Sequence, residues 1–194
     1  MKFYEDVRDQ LGKRATGFGF IFNYLKDIRN PFIVETGCAR QENNYEGDGL
    51  STLLFDKYIN EYGGYLAAVD ISPVSVQFAL SHLVCPRTKI VQSDSVDFLK
   101  MLNTDLQHDR VKIDFLYLDS FDWTEQLQVE SATHHLKELE AIMPSLKPGA
   151  LIGVDDNWKI GNTRVGKGWM VLDYLASLGM RPVFDGYQIF WIYK

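Results

Sequence analysis

The chain has 194 residues, enough for one domain with a sizeable core. Hydrophobic residues make up 46% and charged residues 24%, which is ordinary for a soluble globular protein. A net charge of −6 argues against a nucleic-acid partner, which would require a basic face. No apolar run approaches the roughly 20 residues needed to span a bilayer.

The opening "MKFYEDVRDQLGKR" mixes both charge signs without an apolar stretch, so no signal peptide is expected. Cys38 and Cys85 form no CxxC pair and have no His at zinc spacing. Two ordinary thiols without an export signal lead to the expectation of a reducing, cytoplasmic compartment. No repeat, low-complexity segment or linker divides the chain, so residues 1–194 are expected to be a single domain, with 1–30 an N-terminal helical segment.

That segment predicts a helix over roughly 3–27, with "TGFGF" as a point where it divides. Short apolar runs then alternate with amphipathic stretches. "PFIVET" predicts a strand and "GLSTLLFDKYINEY" a helix. "YLAAVD" predicts a strand and "SPVSVQFALSHL" a helix, its Ser72-Pro73 start combining an N-cap with proline at the first helical position. "KIVQSD" and "SVDFLKML" repeat the pattern, followed by "IDFLYLD" with "ESATHHLKELEAIMPSL", then "ALIGVDD" with "GKGWMVLDYLASLG". Gly179 stands where a helix C-terminus favours glycine. "RPVFDG" and "YQIFWIYK" predict two strands joined by an Asp-Gly turn. Strands alternating with helices imply an α/β, Rossmann-like, mostly parallel sheet, and the final pair adds an antiparallel strand at one edge.

Ligands of such sheets bind outside the carboxyl ends of the strands. Here every parallel strand ends in acid: Glu35 with Gly37, Asp70, Asp94 with Ser95, Asp119 with Asp122, and Asp155-Asp156-Asn157. A glycine after the first strand and an acid ending the second fit a nucleoside cofactor, the acid accepting hydrogen bonds from ribose hydroxyls. The dinucleotide pattern G-x-G-x-x-G is absent, because Gly37 is followed by Cys38-Ala39-Arg40 and then by the loop "QENNYEGDG". That loop separates the turn from the helix N-terminus that a pyrophosphate needs, so a cofactor without phosphates fits better than NAD.

The motifs "FIVETGCAR", "AAVDIS", "VQSDSVDFL", "FLYLDSF" and "LKPGALIGVDDN", in this order, resemble the class I S-adenosylmethionine-dependent methyltransferases over about residues 31–194. The resemblance implies a seven-stranded sheet with an antiparallel last strand and helices on both faces. It also implies that Glu35 and Gly37 border the methionine part of the cofactor, that Asp70 and the adjoining Ile71 serve the nucleoside, and that Asp94 and Ser95 sit by the adenine. Arg40 would pair with the methionine carboxylate, Ser51 and Thr52 would rebuild the pocket at the helix start, and Asp119 would close it. The glycine pattern departs from the usual form, since Gly37 alone occupies the tight turn.

An oxygen nucleophile attacking a sulfonium methyl needs a general base or a metal that acidifies its hydroxyl. Asp119, Asp155, Asp156 and Asn157 offer the oxygen ligands Mg²⁺ prefers. The set resembles the catechol and caffeoyl-CoA O-methyltransferases, and equally the macrolide and aminocoumarin sugar O-methyltransferases. The catechol group usually carries a lysine soon after the fourth-strand Asp, where this chain has Ser120-Phe121, so the sugar-modifying group is the nearer resemblance. His134, His135 and Asp122 are the candidate bases. Trp123, Trp158 and Trp169 could face a sugar or aromatic acceptor, or pack as core. "KIGNTRVGKGW" reads as a mobile loop, with Arg164 and Lys167 either meeting a substrate anion or solvated.

The expectation is a Mg²⁺-assisted O-methyltransferase acting on a sugar or glycan hydroxyl. A catechol-type small-molecule enzyme, an NAD-dependent oxidoreductase and a module that kept the fold without chemistry are the alternatives. A small-molecule or glycan acceptor is the expected partner, and a homodimer is one open option for the assembly.

Overall fold

The computed structural model describes residues 1–161 and 163–194. The chain begins with a short helix α1 (Lys2–Glu5), passes through two 3-10 turns (Arg8–Gln10 and Gly12–Arg14) and enters α2 (Ala15–Leu25). The expected single helix is thus divided earlier than "TGFGF" suggests. Gly17 and Gly19 instead lie inside α2, and a Cβ at either would collide with the side chain of Gln188 or Tyr4. Their role is close packing, not helix breaking.

From there strands and helices alternate. They are β1 (Phe32–Thr36), α3 (Tyr45–Asp48), α4 (Ser51–Tyr62), β2 (Tyr65–Asp70), α5 (Pro73–His82), β3 (Thr88–Gln92), α6 (Ser95–Asp109), β4 (Ile113–Leu118), α7 (Gln128–Ile142) and β5 (Leu146–Val154). A hairpin of β6 (Asn157–Ile160) and β7 (Thr163–Gly166) precedes α8 (Trp169–Ser177), β8 (Phe184–Asp185) and β9 (Ile189–Ile192). The main sheet has seven strands in the order β3-β2-β1-β4-β5-β9-β8. All neighbours from β3 to β5 are parallel, and β9 runs antiparallel to both β5 and β8. The last strand is antiparallel as expected, but it lies inside the sheet and the two-residue β8 forms the edge.

Both faces of the sheet are covered because its central strands carry mostly apolar side chains on both sides. In β4 the side chains of Leu116 and Leu118 join one core with Leu99 of α6, Leu139 of α7 and Val171 of α8. Phe115 and Tyr117, on the opposite face by the twofold alternation of a strand, join Phe18 and Phe22 of α2 and Phe55 of α4. The N-terminal segment is therefore part of the second core. Cys38 and Cys85 are both buried free thiols.

The expected mobile loop contains regular secondary structure. Its first part is the β6-β7 hairpin, and Arg164 there pairs with Asp185. Asn162 lies outside the described residues.

Candidate active site

The carboxyl ends of β1, β2 and β4 meet because Gly37 permits it. Its φ is +81°, a conformation that suits glycine, and a Cβ there would strike the carbonyl of Asp119. This close approach brings the turn after β1 against the turn after β4.

Asp70 is fixed by backbone donors on either side: Cys38 N–H donates to Oδ2 at 2.9 Å and Ser72 N–H to Oδ1 at 2.7 Å. Beside it a cavity of about 280 Å³ is lined by Val69, Asp70, Ile71, Asp94, Ser95, Ser120, Phe121 and His134. Four of the expected cofactor residues thus share one wall. Asp94 is also the N-cap of α6, accepting from Asp97 N–H at 3.1 Å. His134 belongs to this cavity and not to the far side of the cleft. Its Nε2 lies 2.8 Å from Ser95 Oγ and 3.4 Å from Glu138 Oε1, and Ser120 Oγ donates to the same carboxylate at 2.6 Å. The hydrogen bond to Glu138 raises the His134 pKa above its ordinary value, even though burial opposes the charge.

Glu35 is completely buried, and neither carboxyl oxygen has a hydrogen-bond partner. Burial pushes its pKa up to about 8, a rise that the nearby Ser51 and Thr52 hydroxyls only partly offset. Thr52 Oγ1 accepts from Ala39 N–H at 3.0 Å, so the start of α4 does hold the β1 turn. Arg40 reaches two ways: its Nε meets Asp48 Oδ1 at 3.0 Å, and its two terminal nitrogens meet the Asp122 carboxylate at 2.7 and 3.0 Å. Beneath it only about 20 Å³ remains between Gly37, Asp48, Ser51, Asp70 and Asp119. A wider cleft of about 680 Å³ opens outward past Phe121, Asp122 and Leu127.

The mouth of β4 and β5 differs from the expectation of a metal centre. Asp119, Asp155 and Asp156 converge there, but two cations stand among them. Lys167 Nζ lies 2.5 Å from Asp119 Oδ1 and 3.0 Å from Asp156 Oδ2, with only 1% of its side chain exposed. Arg14 donates from Nε to Asp155 at 2.6 Å and from Nη2 to Asp156 at 2.7 Å. Although burial opposes ionisation, Lys167 and Arg14 hold the Asp156 carboxyl down at about 2. Tyr187 adds a third donor to Asp156 at 2.7 Å. Asn157 is committed elsewhere: its amide donates to the carbonyls of Val154 and Asp155, and its Oδ1 accepts from Gly168 N–H at 2.8 Å. It thereby ties the start of α8 to the end of β5.

Mg²⁺ needs several oxygens converging on an open centre. Here the ammonium of Lys167 occupies that convergence, and among the described residues no His, Cys, Asp and Glu set is arranged to hold a metal. The residues present do not fit the expected ion.

His135 does not reach the cleft either. It is fully buried, its Nδ1 2.7 Å from the Ser131 carbonyl and its Nε2 unpartnered. Burial drives its pKa down to about 4. Residue 135 shares a helix face with Leu139 and Ile142, and that face is core. Asp122 faces the wide cleft, but its pairing with Arg40 lowers its pKa against the effect of burial. Trp123 and Trp158 meet edge-to-face at 4.5 Å, and Trp158 stacks towards Tyr187 at 6.5 Å, forming an aromatic wall beside Asp156. Trp169 opens α8.

The sheet order, the two covered faces and the cleft at the strand ends define a Rossmann-like α/β fold. Solved structures share it. The mycinamycin-pathway methyltransferase MycE, solved with Mg and S-adenosylhomocysteine, aligns at a TM-score of 0.59 and 17% identity over 91% of this chain and 49% of its own. The 1,6-didemethyltoxoflavin-N1-methyltransferase of Burkholderia thailandensis aligns at 0.55 and 13% identity over 98% and 84%. Human N-acetylserotonin methyltransferase aligns at 0.53 and 17% identity over 98% and 55%. The chain spans about half the length of MycE. At these identities the likeness is one of fold. No family model matches the chain, and no curated protein matches it.

Proposed function

We propose that the chain is an S-adenosylmethionine-dependent methyltransferase that delivers the methyl group to a hydroxyl oxygen of a small acceptor, with a sugar or glycan favoured over a catechol. The observation that carries this reading is Asp70, held between two backbone N–H groups at the wall of a cavity shared with Ile71, Asp94 and Ser95. An acid so placed suits the two ribose hydroxyls of a nucleoside. The structural neighbours support the cofactor part of this reading, since those named above were solved with S-adenosylmethionine or its product.

The cofactor, once bound, supplies the electrophilic methyl group. The chain supplies the rest. Glu35, Gly37, Ser51 and Thr52 border the methionine end, with Arg40 free to turn from Asp122 towards its carboxylate. Asp119 lines the narrow cavity at the join of the two subsites, with one oxygen held by Lys167, and is better placed than His135 to take a proton from the acceptor. The Trp123–Trp158 wall suits the face of a sugar ring. The paired charges at Asp119, Asp155 and Asp156 speak against Mg²⁺ assistance.

Calorimetry with S-adenosylhomocysteine and with NAD tests the reading. Binding of the former, weakened at least about tenfold by Asp70→Ala, is the expected result. Binding of NAD alone would replace the methyltransferase with an oxidoreductase.

A further inference from the structure

We infer that Lys167 stands in the place of a divalent cation, so that the acid mouth of β4 and β5 carries its counter-charge within the chain and has no use for a metal ion. Three carboxyl groups meet there, from Asp119, Asp155 and Asp156, and two cations, Arg14 and Lys167, answer them. The ammonium bridges Asp119 and Asp156 and so joins the ends of β4 and β5.

Lys167 is not a surface side chain that happens to fold inward. Three independent contacts of the backbone fix its position. Lys167 N–H donates to the Asp156 carbonyl at 3.0 Å. The next residue, Gly168, donates to Asn157 Oδ1 at 2.8 Å. The preceding Gly166 has φ +106°, and a Cβ there would overlap the Asp156 carbonyl, so the β6-β7 hairpin can close onto the β5 end only with glycine at this position. Arg14 completes the arrangement from the other side, and its remaining nitrogen donates to the Glu46 carbonyl at 2.7 Å. Each cation therefore has a role an ion cannot share: one ties α8 to the sheet, the other ties the N-terminal segment to it.

The consequence for methyl transfer, turnover without metal, rests on the reading above; the charge substitution itself does not. Removing the ammonium leaves three carboxylates facing Arg14 alone, with space between two of them. The inference predicts that such a variant becomes a divalent-cation site.

Mn²⁺ titration of the purified full chain, followed by electron paramagnetic resonance, tests this. The native chain is expected to show no site tighter than about 1 mM. Lys167→Ala is expected to gain a site at least about tenfold tighter, and Lys167→Ala with Asp156→Asn to lose it again. A native site tighter than that limit and abolished by Asp156→Asn would overturn the inference, and so would a folded Lys167→Ala without any gain. Should Lys167→Ala fail to fold, the native titration still decides. S-adenosylhomocysteine binding measured on the same samples keeps the two readings apart: a chain that ignores the nucleoside yet behaves as described towards Mn²⁺ loses only the methyltransferase reading.

Discussion

Glu35 is the residue whose environment most needs a ligand to explain it. A buried carboxyl with no hydrogen-bond partner is destabilising, and burial raises its pKa to about 8. At neutral pH it is protonated in the folded chain and ionised in the unfolded one, so the folded state binds the extra proton. Its contribution is fully present below about pH 4.5 and is lost as the pH rises to about 8, at roughly 1.4 kcal/mol per unit. Thermal melts should therefore show the native chain losing stability relative to Glu35→Gln across that window. A flat difference would show that Glu35 is already ionised. On the proposed methyltransferase reading, the cofactor adds a second consequence. A methionine ammonium beside Glu35 favours the carboxylate and expels its proton. Calorimetry of S-adenosylhomocysteine binding at pH 7 in buffers of different ionisation enthalpy should register proton release, and Glu35→Gln should abolish it.

At the scale of elements, the N-terminal segment and the β6-β7 hairpin are the parts that close the acid mouth, and neither was legible as such in the sequence. The parallel strands were legible because each is an apolar run that stops at an acid, and the stop is itself the functional signal: Glu35, Asp70, Asp94 and Asp119 all lie where a strand ends or just beyond it. The charge pairing was not, because Arg14 meets Asp155 across 141 positions and Lys167 meets Asp119 across 48. A glycine-rich stretch with three cations carries no periodicity that separates a hairpin from a solvated loop. Its side chains are fixed by partners far off in the chain. Arg14 tests this element directly. Arg14→Met keeps much of the apolar stem but leaves Asp155 and Asp156 short of a donor in a buried setting, and it should destabilise the fold by about 3–5 kcal/mol in urea unfolding. A loss under about 1 kcal/mol, the value of an exposed pair, would mean that the N-terminal segment is held by its aromatic contacts alone.

Over the whole molecule, the cleft runs from the cavity at Asp70 to the acid mouth, and Arg40 lies across its middle. Asp48 grips it from the β1 side and Asp122 from the β4 side, so two otherwise separate loops are joined directly over the narrow space below. About half of each side chain of the Arg40–Asp122 pair is exposed, 48% and 56%. Such a pair contributes at most about 1 kcal/mol and weakens with salt, weak enough to part if the proposed cofactor enters beneath it. Asp122→Asn should then raise the association rate of S-adenosylhomocysteine about two- to fivefold in stopped flow, and added salt should do the same for the native chain but not for the variant. Turnover of the variant should stay within about twofold once the cofactor saturates. The outcome also decides a question of chemistry, because Asp122 was one of three residues that sequence put forward as the base. A general base contributes at least about a hundredfold, so a collapse of kcat in Asp122→Asn, together with loss of the acidic limb of its pH profile, would return that role to Asp122 and make its grip on Arg40 incidental. An unchanged kcat leaves Asp119, which lines the narrow space beside Gly37 and Ser120, as the carboxylate to test next.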